Sequence, residues 1–196
     1  MICKGSGECR AITLTSSIDT VAGTAGNDTI LGDANSTGAA DQINGGAGTD
    51  TLKLFGTITK PAISNVENIY LNNTLAAGSG NFDASTVAGV TSLEVDGVTD
   101  SHTFTVTTGQ AVTLSNLQTT GKTQTIAGNT PTSLNLTLNK VGKLDGSVTQ
   151  TVDLTGTALT TVNLTGSTAD SAITLGAICL ILDELLRSRR SKPAAP

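Results

Sequence analysis

The chain has 196 residues, of which 2% are aromatic and none is Trp, with 22 Gly and a formal net charge of −5. So few rings exclude an ordinary globular interior built on aromatic packing. Between positions 11 and 176 five lysines stand against thirteen acidic residues, a net of −8, and an acidic surface poor in Lys disfavours nucleic acid and anionic membranes as partners.

Residues 1–10 have no period and no apolar core of a cleavable signal, and they read as a flexible leader. Cys3, Cys9 and Cys179 all fall in the flanks. The spacing of Cys3 and Cys9 leaves a disulfide between them open, and the cysteines read as incidental to the repetitive body. From Ala11 the texture changes. The pattern Asp-x-apolar recurs as Asp19-Thr20-Val21, Asp28-Thr29-Ile30, Asp41-Gln42-Ile43 and Asp50-Thr51-Leu52, at steps of nine, thirteen and nine residues. The last unit, Gly45-Gly46-Ala47-Gly48-Thr49-Asp50-Thr51-Leu52-Lys53, matches the calcium-binding nonapeptide G-G-x-G-x-D-x-U-x in full. The unit from Gly23 to Leu31 keeps the first and fourth glycines, whereas those of Asp19 and Asp41 have lost theirs.

In a coiled repeat of this kind each nonapeptide makes half a turn, so units two apart share an edge. Asp28 and Asp50 are then expected to stack, with a hard cation held between the loops 23–28 and 45–50. Its ligands would come from Gly23, Ala25, Asn27, Asp28, Gly45, Ala47, Thr49 and Asp50. Asp19 and Asp41 would face each other on the opposite edge as a second, glycine-poor pair. Carbonyl and carboxylate oxygens favour Ca²⁺, and no His or Cys cluster invites zinc. The alternative is a set of Gly and Asp turn residues with no ion.

Two runs, Ile12-Thr13-Leu14-Thr15 and then Asp19-Thr20-Val21-Ala22-Gly23-Thr24-Ala25-Gly26-Asn27-Asp28-Thr29-Ile30, resemble the RTX-containing surface-layer proteins of Gram-negative bacteria. Ile63-Ser64-Asn65-Val66-Glu67-Asn68-Ile69 is similar to the strand entry that follows such repeats there, with Asn65 where Gly is usual. The resemblance covers residues 11 to about 73 and marks the chain as a piece of such a protein. It implies type I secretion, a calcium-ordered β-solenoid and a lattice-forming or other surface role.

Past Lys60-Pro61, where a linker or corner is expected, short stretches alternate apolar residues with Thr, Asn or Ser. They run over 66–71, 90–95, 104–106, 112–114, 134–138, 152–154, 162–164 and 173–175. The rung-like repetition of Leu154-Thr155-Gly156 and Leu164-Thr165-Gly166 favours stacked coils over a sandwich, as does an Asn able to stack along the axis. Residues 177–196 read as a short helix with a basic tail, capping the solenoid or foreign to it, with a membrane-surface or partner helix as the functional alternative. The expected fold is therefore all-β. It is a right-handed parallel β-helix or β-roll, with a calcium roll over 11–58, further rungs over 59–176 and a short C-terminal helix.

No catalytic set can be assembled. The only histidine, His102, follows Asp100-Ser101, where sequence adjacency does not make a triad, and it reads as part of a surface turn. The expected function is non-catalytic: a calcium-binding structural protein, secreted or at the cell surface, whose partners are calcium, copies of itself and surface polysaccharide. The alternative is a carbohydrate-binding or adhesin module of a secreted polysaccharide-acting enzyme. A polysaccharide-cleaving β-helix ranks third, because no acidic or basic catalytic cluster is visible.

Overall fold

The computed structural model describes residues 8–72, 81–128, 132–143, 145–156, 159–166 and 173–175. Among them every regular element is a strand and every pairing is parallel. Eight strands form one sheet in chain order: β1 (Ala11–Thr13), β3 (Thr29–Asp33), β5 (Thr51–Phe55), β7 (Asn68–Asn72), β9 (Ser92–Asp96), β11 (Ala111–Leu117), β13 (Ser133–Val141) and β15 (Thr161–Gly166). Between them come the strands of two smaller sheets. One is β2 (Thr20–Ala22), β4 (Gln42–Asn44) and β6 (Ala62–Ser64). The other is β8 (Asn81–Asp83), β10 (His102–Thr105), β12 (Lys122–Ala127), β14 (Gln150–Thr155) and β16 (Ile173–Leu175). Parallel neighbours need a crossover, and here each crossover is itself a strand of another sheet.

The alternation in the sequence sets which side chains are inside. Ile12, Ile30, Leu52, Ile69, Leu93, Val112, Leu136 and Leu164 align across the large sheet, each opposite the next. Two residues on, Leu54, Leu71, Val95, Leu114 and Leu138 do the same. Val21, Ile43 and Ile63 align in the three-stranded sheet, and Phe82, Phe104, Ile126 and Leu154 in the five-stranded one. These columns join one apolar cluster, in which each large side chain contributes about 1.5–3 kcal/mol by leaving water. Leu164, on the last strand of its sheet, stays 42% exposed.

The second wall changes sheet between β6 and β8, after the Lys60-Pro61 corner. Lys60 crosses that break: its Nζ donates to the Asp83 carbonyl at 2.7 Å and to Thr86 Oγ1 at 3.2 Å, and lies 5.1 Å from the Phe82 ring centroid. Burial there pulls the Lys60 ammonium below its ordinary pKa. Asn stacking occurs as expected, with Asn163 Nδ2 donating to Asn135 Oδ1 at 2.8 Å.

Three readings are corrected. His102 is not in a surface turn but opens β10 and is buried, because it takes the inward position of the same period as Phe104. Strands β8 and β12 were not anticipated. Cys9 is disulfide-bonded and so is not incidental. The expected helix of 177–196 lies outside the described residues. No helix among the described residues is long and apolar enough to cross a membrane.

Candidate metal centre

Each acidic residue of the repeat sits one position before a strand: Asp19 before β2, Asp28 before β3, Asp41 before β4 and Asp50 before β5. A residue there has its N–H free of its own strand's ladder; for Asp19, Asp28 and Asp50 a carboxylate before the next parallel strand accepts it, whereas the Asp41 N–H donates to the Gly38 carbonyl at 3.1 Å. The Arg10 N–H donates to Asp28 Oδ1 at 2.6 Å, the Asp28 N–H to Asp50 Oδ1 at 2.7 Å and the Asp50 N–H to Glu67 Oε2 at 2.7 Å. On the other edge the Asp19 N–H donates to Asp41 Oδ1 at 2.9 Å. The 22-residue spacing of each pair therefore does bring Asp28 onto Asp50, and Asp19 onto Asp41. Glu67, absent from the expected ligand set, extends the first column. Its signal was Glu67-Asn68-Ile69, the same acid-x-apolar pattern one coil on.

The second oxygen of each carboxylate separates the four. Asp28 Oδ2 accepts the Thr24 N–H at 2.5 Å, and the Thr24 hydroxyl lies 3.1 Å from both Asp28 oxygens. Asp41 Oδ2 accepts the Gly38 N–H at 2.6 Å, and Asp19 Oδ2 the Thr15 N–H at 2.7 Å. Asp50 Oδ2 is buried and has no hydrogen-bond partner. Gly46 occupies the place that Thr24 holds one coil earlier, and its N–H turns instead to Asn44 Oδ1 at 3.0 Å. The one loop that matches the nonapeptide in full thus leaves one carboxylate oxygen bare.

The loops lie directly on one another. The Gly23 N–H donates to the Asn44 carbonyl at 2.8 Å, the Ala47 N–H to the Thr24 carbonyl at 3.0 Å and the Thr49 N–H to Asn27 Oδ1 at 2.9 Å. A Cβ on Gly23 would stand 1.8 Å from the Gly45 carbonyl oxygen, and one on Gly45 would stand 2.0 Å from that of Asn65. Glycine at these two positions is needed for close approach. At Gly46 (φ +96°) and Gly48 (φ +123°) it is needed for the backbone conformation itself. Ala25, Ala47 and Thr49 are exposed on the outside of the loops.

These surroundings move the two stacked carboxyls in opposite directions. Burial pushes Asp28 up, but the N–H groups of Thr24 and Arg10, the Thr24 hydroxyl and the Arg10 charge outweigh it and hold the carboxyl below its ordinary pKa. At Asp50 burial dominates, the Asp28 N–H opposes it, and the charges of Glu67 and Asp28 add to the upward shift.

Among the described residues no three His, Cys, Asp or Glu side chains are grouped as a metal cluster. The fit to a hard cation rests on one observation, the orphaned and buried Asp50 Oδ2, since an uncompensated buried carboxylate oxygen calls for a positive partner. Away from this edge, Asp100 pairs with Lys122 at 2.7 Å and Ser101 Oγ accepts the Thr123 N–H at 2.9 Å. No family model matches the chain, and neither a curated protein nor a solved structure matches it.

Proposed function

We propose that this chain is a non-catalytic structural module of a secreted or cell-surface RTX-type protein, wound as a right-handed parallel β-solenoid and ordered by Ca²⁺. The carrying observation is Asp50 Oδ2, bare and buried in the loop that matches the nonapeptide in full. Asp50 would hold the ion together with main-chain oxygens of the loops 23–28 and 45–50. When bound, the ion supplies positive charge to a column in which Asp28, Asp50 and Glu67 follow one another. The in-register pairing of each strand with the strand two further on supports the solenoid, whose crossovers are right-handed as a rule. The disulfide at Cys9 supports an oxidising compartment, and the acidic, Lys-poor body suits export and self-association in the presence of calcium.

A calcium titration followed by circular dichroism and calorimetry tests the reading. Extracellular modules bind Ca²⁺ with Kd of about 10⁻⁴ to 10⁻³ M, and saturation in that range is expected. Asp50→Ala should abolish the response. Asp33→Ala, at the exposed end of β3 where that carboxylate serves Asn35 and Ser36, should leave it intact. Equal loss in both variants, or no heat of binding at all, would reduce the loops to structural turns.

A further inference from the structure

The chain has four aromatic side chains, three Phe and one Tyr. Phe82 and Phe104 are core residues. The other two meet on the outer face of the eight-stranded sheet, where Phe55 is 38% exposed and its ring centroid lies 5.8 Å from that of Tyr70. Register sets what surrounds them: Lys53, Tyr70 and Glu94 lie opposite one another across β5, β7 and β9, and Phe55, Asn72 and Asp96 form the next row.

The polar groups of this patch are held in place by one another. Tyr70 Oη donates to Asp96 Oδ2, which also accepts from Asn72 Nδ2 at 3.1 Å, while Asn116 Nδ2 donates to Asp96 Oδ1 at 2.7 Å. Ser115 Oγ donates to Glu94 Oε1 at 3.2 Å. Burial and Asp96 push the Tyr70 hydroxyl up to about 12, so it stays protonated, and its oxygen accepts from Asn72 Nδ2 at 3.3 Å. The result is an exposed ring beside a hydrogen-bonded set of amide, carboxylate and phenol groups, spread over three strands and hence about 10 Å. A ring offers an apolar platform and its polar neighbours fix orientation.

We propose that this patch binds a neutral glycan, with the apolar face of one pyranose ring on Phe55 and its hydroxyls on Asn72 and Asp96. Two carboxylates against one lysine oppose an anionic polysaccharide. A cationic ligand is disfavoured because Lys53 Nζ already lies 5.8 Å from the Tyr70 centroid and takes the cation's place over the ring. The site is separate from the Asp28–Asp50 edge, and the proposal does not rest on the calcium reading.

Native affinity electrophoresis in gels containing laminarin, dextran or galactomannan, with alginate as the anionic contrast and phosphocholine as a soluble competitor, tests it at fixed calcium. At least one neutral polysaccharide should retard the wild type. Phe55→Ala and Phe55→Leu should each weaken binding about tenfold or more, and Asn72→Ala several-fold. Ile18→Ala, at a residue 73% exposed elsewhere, should change nothing. Circular dichroism checks that the Phe55 variants are folded, and Phe55→Leu keeps the apolar bulk should Phe55→Ala lose it. The proposal is overturned by retardation on alginate alone, by displacement with phosphocholine, by no retardation on any neutral polymer, or by retardation that survives both Phe55 variants.

Discussion

Asp28 and Asp50 are the same residue type at the same place in successive coils, yet their carboxyls are shifted in opposite directions, and stability should record it. Asp28 is depressed in the folded state. Its contribution is present above the ordinary value of 3.8 and is lost as pH falls through the lower folded value. Asp50 is raised, so the folded state takes up its proton more readily than the unfolded chain. Its charged form is a liability at neutral pH that is relieved as pH falls through the raised value. In chelator, Asp28→Asn should therefore cost about 1–2 kcal/mol at pH 7, a gap that narrows only at strongly acid pH. Asp50→Asn, which keeps an oxygen for the Asp28 N–H, should melt at or above the wild type at pH 7 and lose that advantage as pH falls through the raised value. Melting curves of the three proteins from pH 7 to pH 3 decide this, and parallel curves would refute the assignment. The stacking of these two residues was legible as a 22-residue interval. The service of Thr24 to Asp28, and its loss at Gly46, was not, because it depends on which backbone N–H each loop turns inward.

At the scale of the element, strands with apolar residues at every inward position were readable from alternation alone, as with Leu134-Asn135-Leu136-Thr137-Leu138 in β13. Strand β12 escaped because one inward position is filled by Gln124, which is buried and donates to the Asp100 carbonyl at 2.8 Å. Strand β8 escaped because Phe82 stands alone between Asn81 and Asp83. His102 was misplaced for the same reason: a polar side chain on the inward period looks like a turn until its partners in the next coil are known. The turns are stricter than the strands. Gly23→Ala would drive a methyl into the Gly45 carbonyl and should cost about 1–3 kcal/mol or more. Gly38→Ala, whose Cβ would meet nothing nearer than Asp41 Oδ2 at 3.6 Å, should be nearly neutral. Urea melts of both variants test the contrast, and equal losses would mean that the loops are not stacked as described.

For the whole molecule, the sequence carried the all-β class and the parallel strands, but not the division of the strands outside the large sheet into two sheets. Lys60 reaches across that division from the corner to the Asp83 carbonyl, a contact with no signature in the local pattern. The parallel order of the large sheet has a consequence for how calcium acts. Each strand pairs only with its neighbours on either side, so stability is close to a sum of nearest-neighbour terms, and a stabilisation introduced at one edge is felt mainly by adjoining coils. At free calcium about ten times Kd, one site adds roughly 1.4 kcal/mol. Amide exchange in β3, β5 and β7, which adjoin the Asp28, Asp50 and Glu67 column, should therefore slow by about tenfold on adding calcium. Amides of β13 and β14, several coils away, should exchange at unchanged rates. Hydrogen exchange read strand by strand in calcium and in chelator makes the comparison. Equal slowing in all strands would mean that the sheet unfolds as one cooperative unit, and no slowing in β5 would place the ion elsewhere.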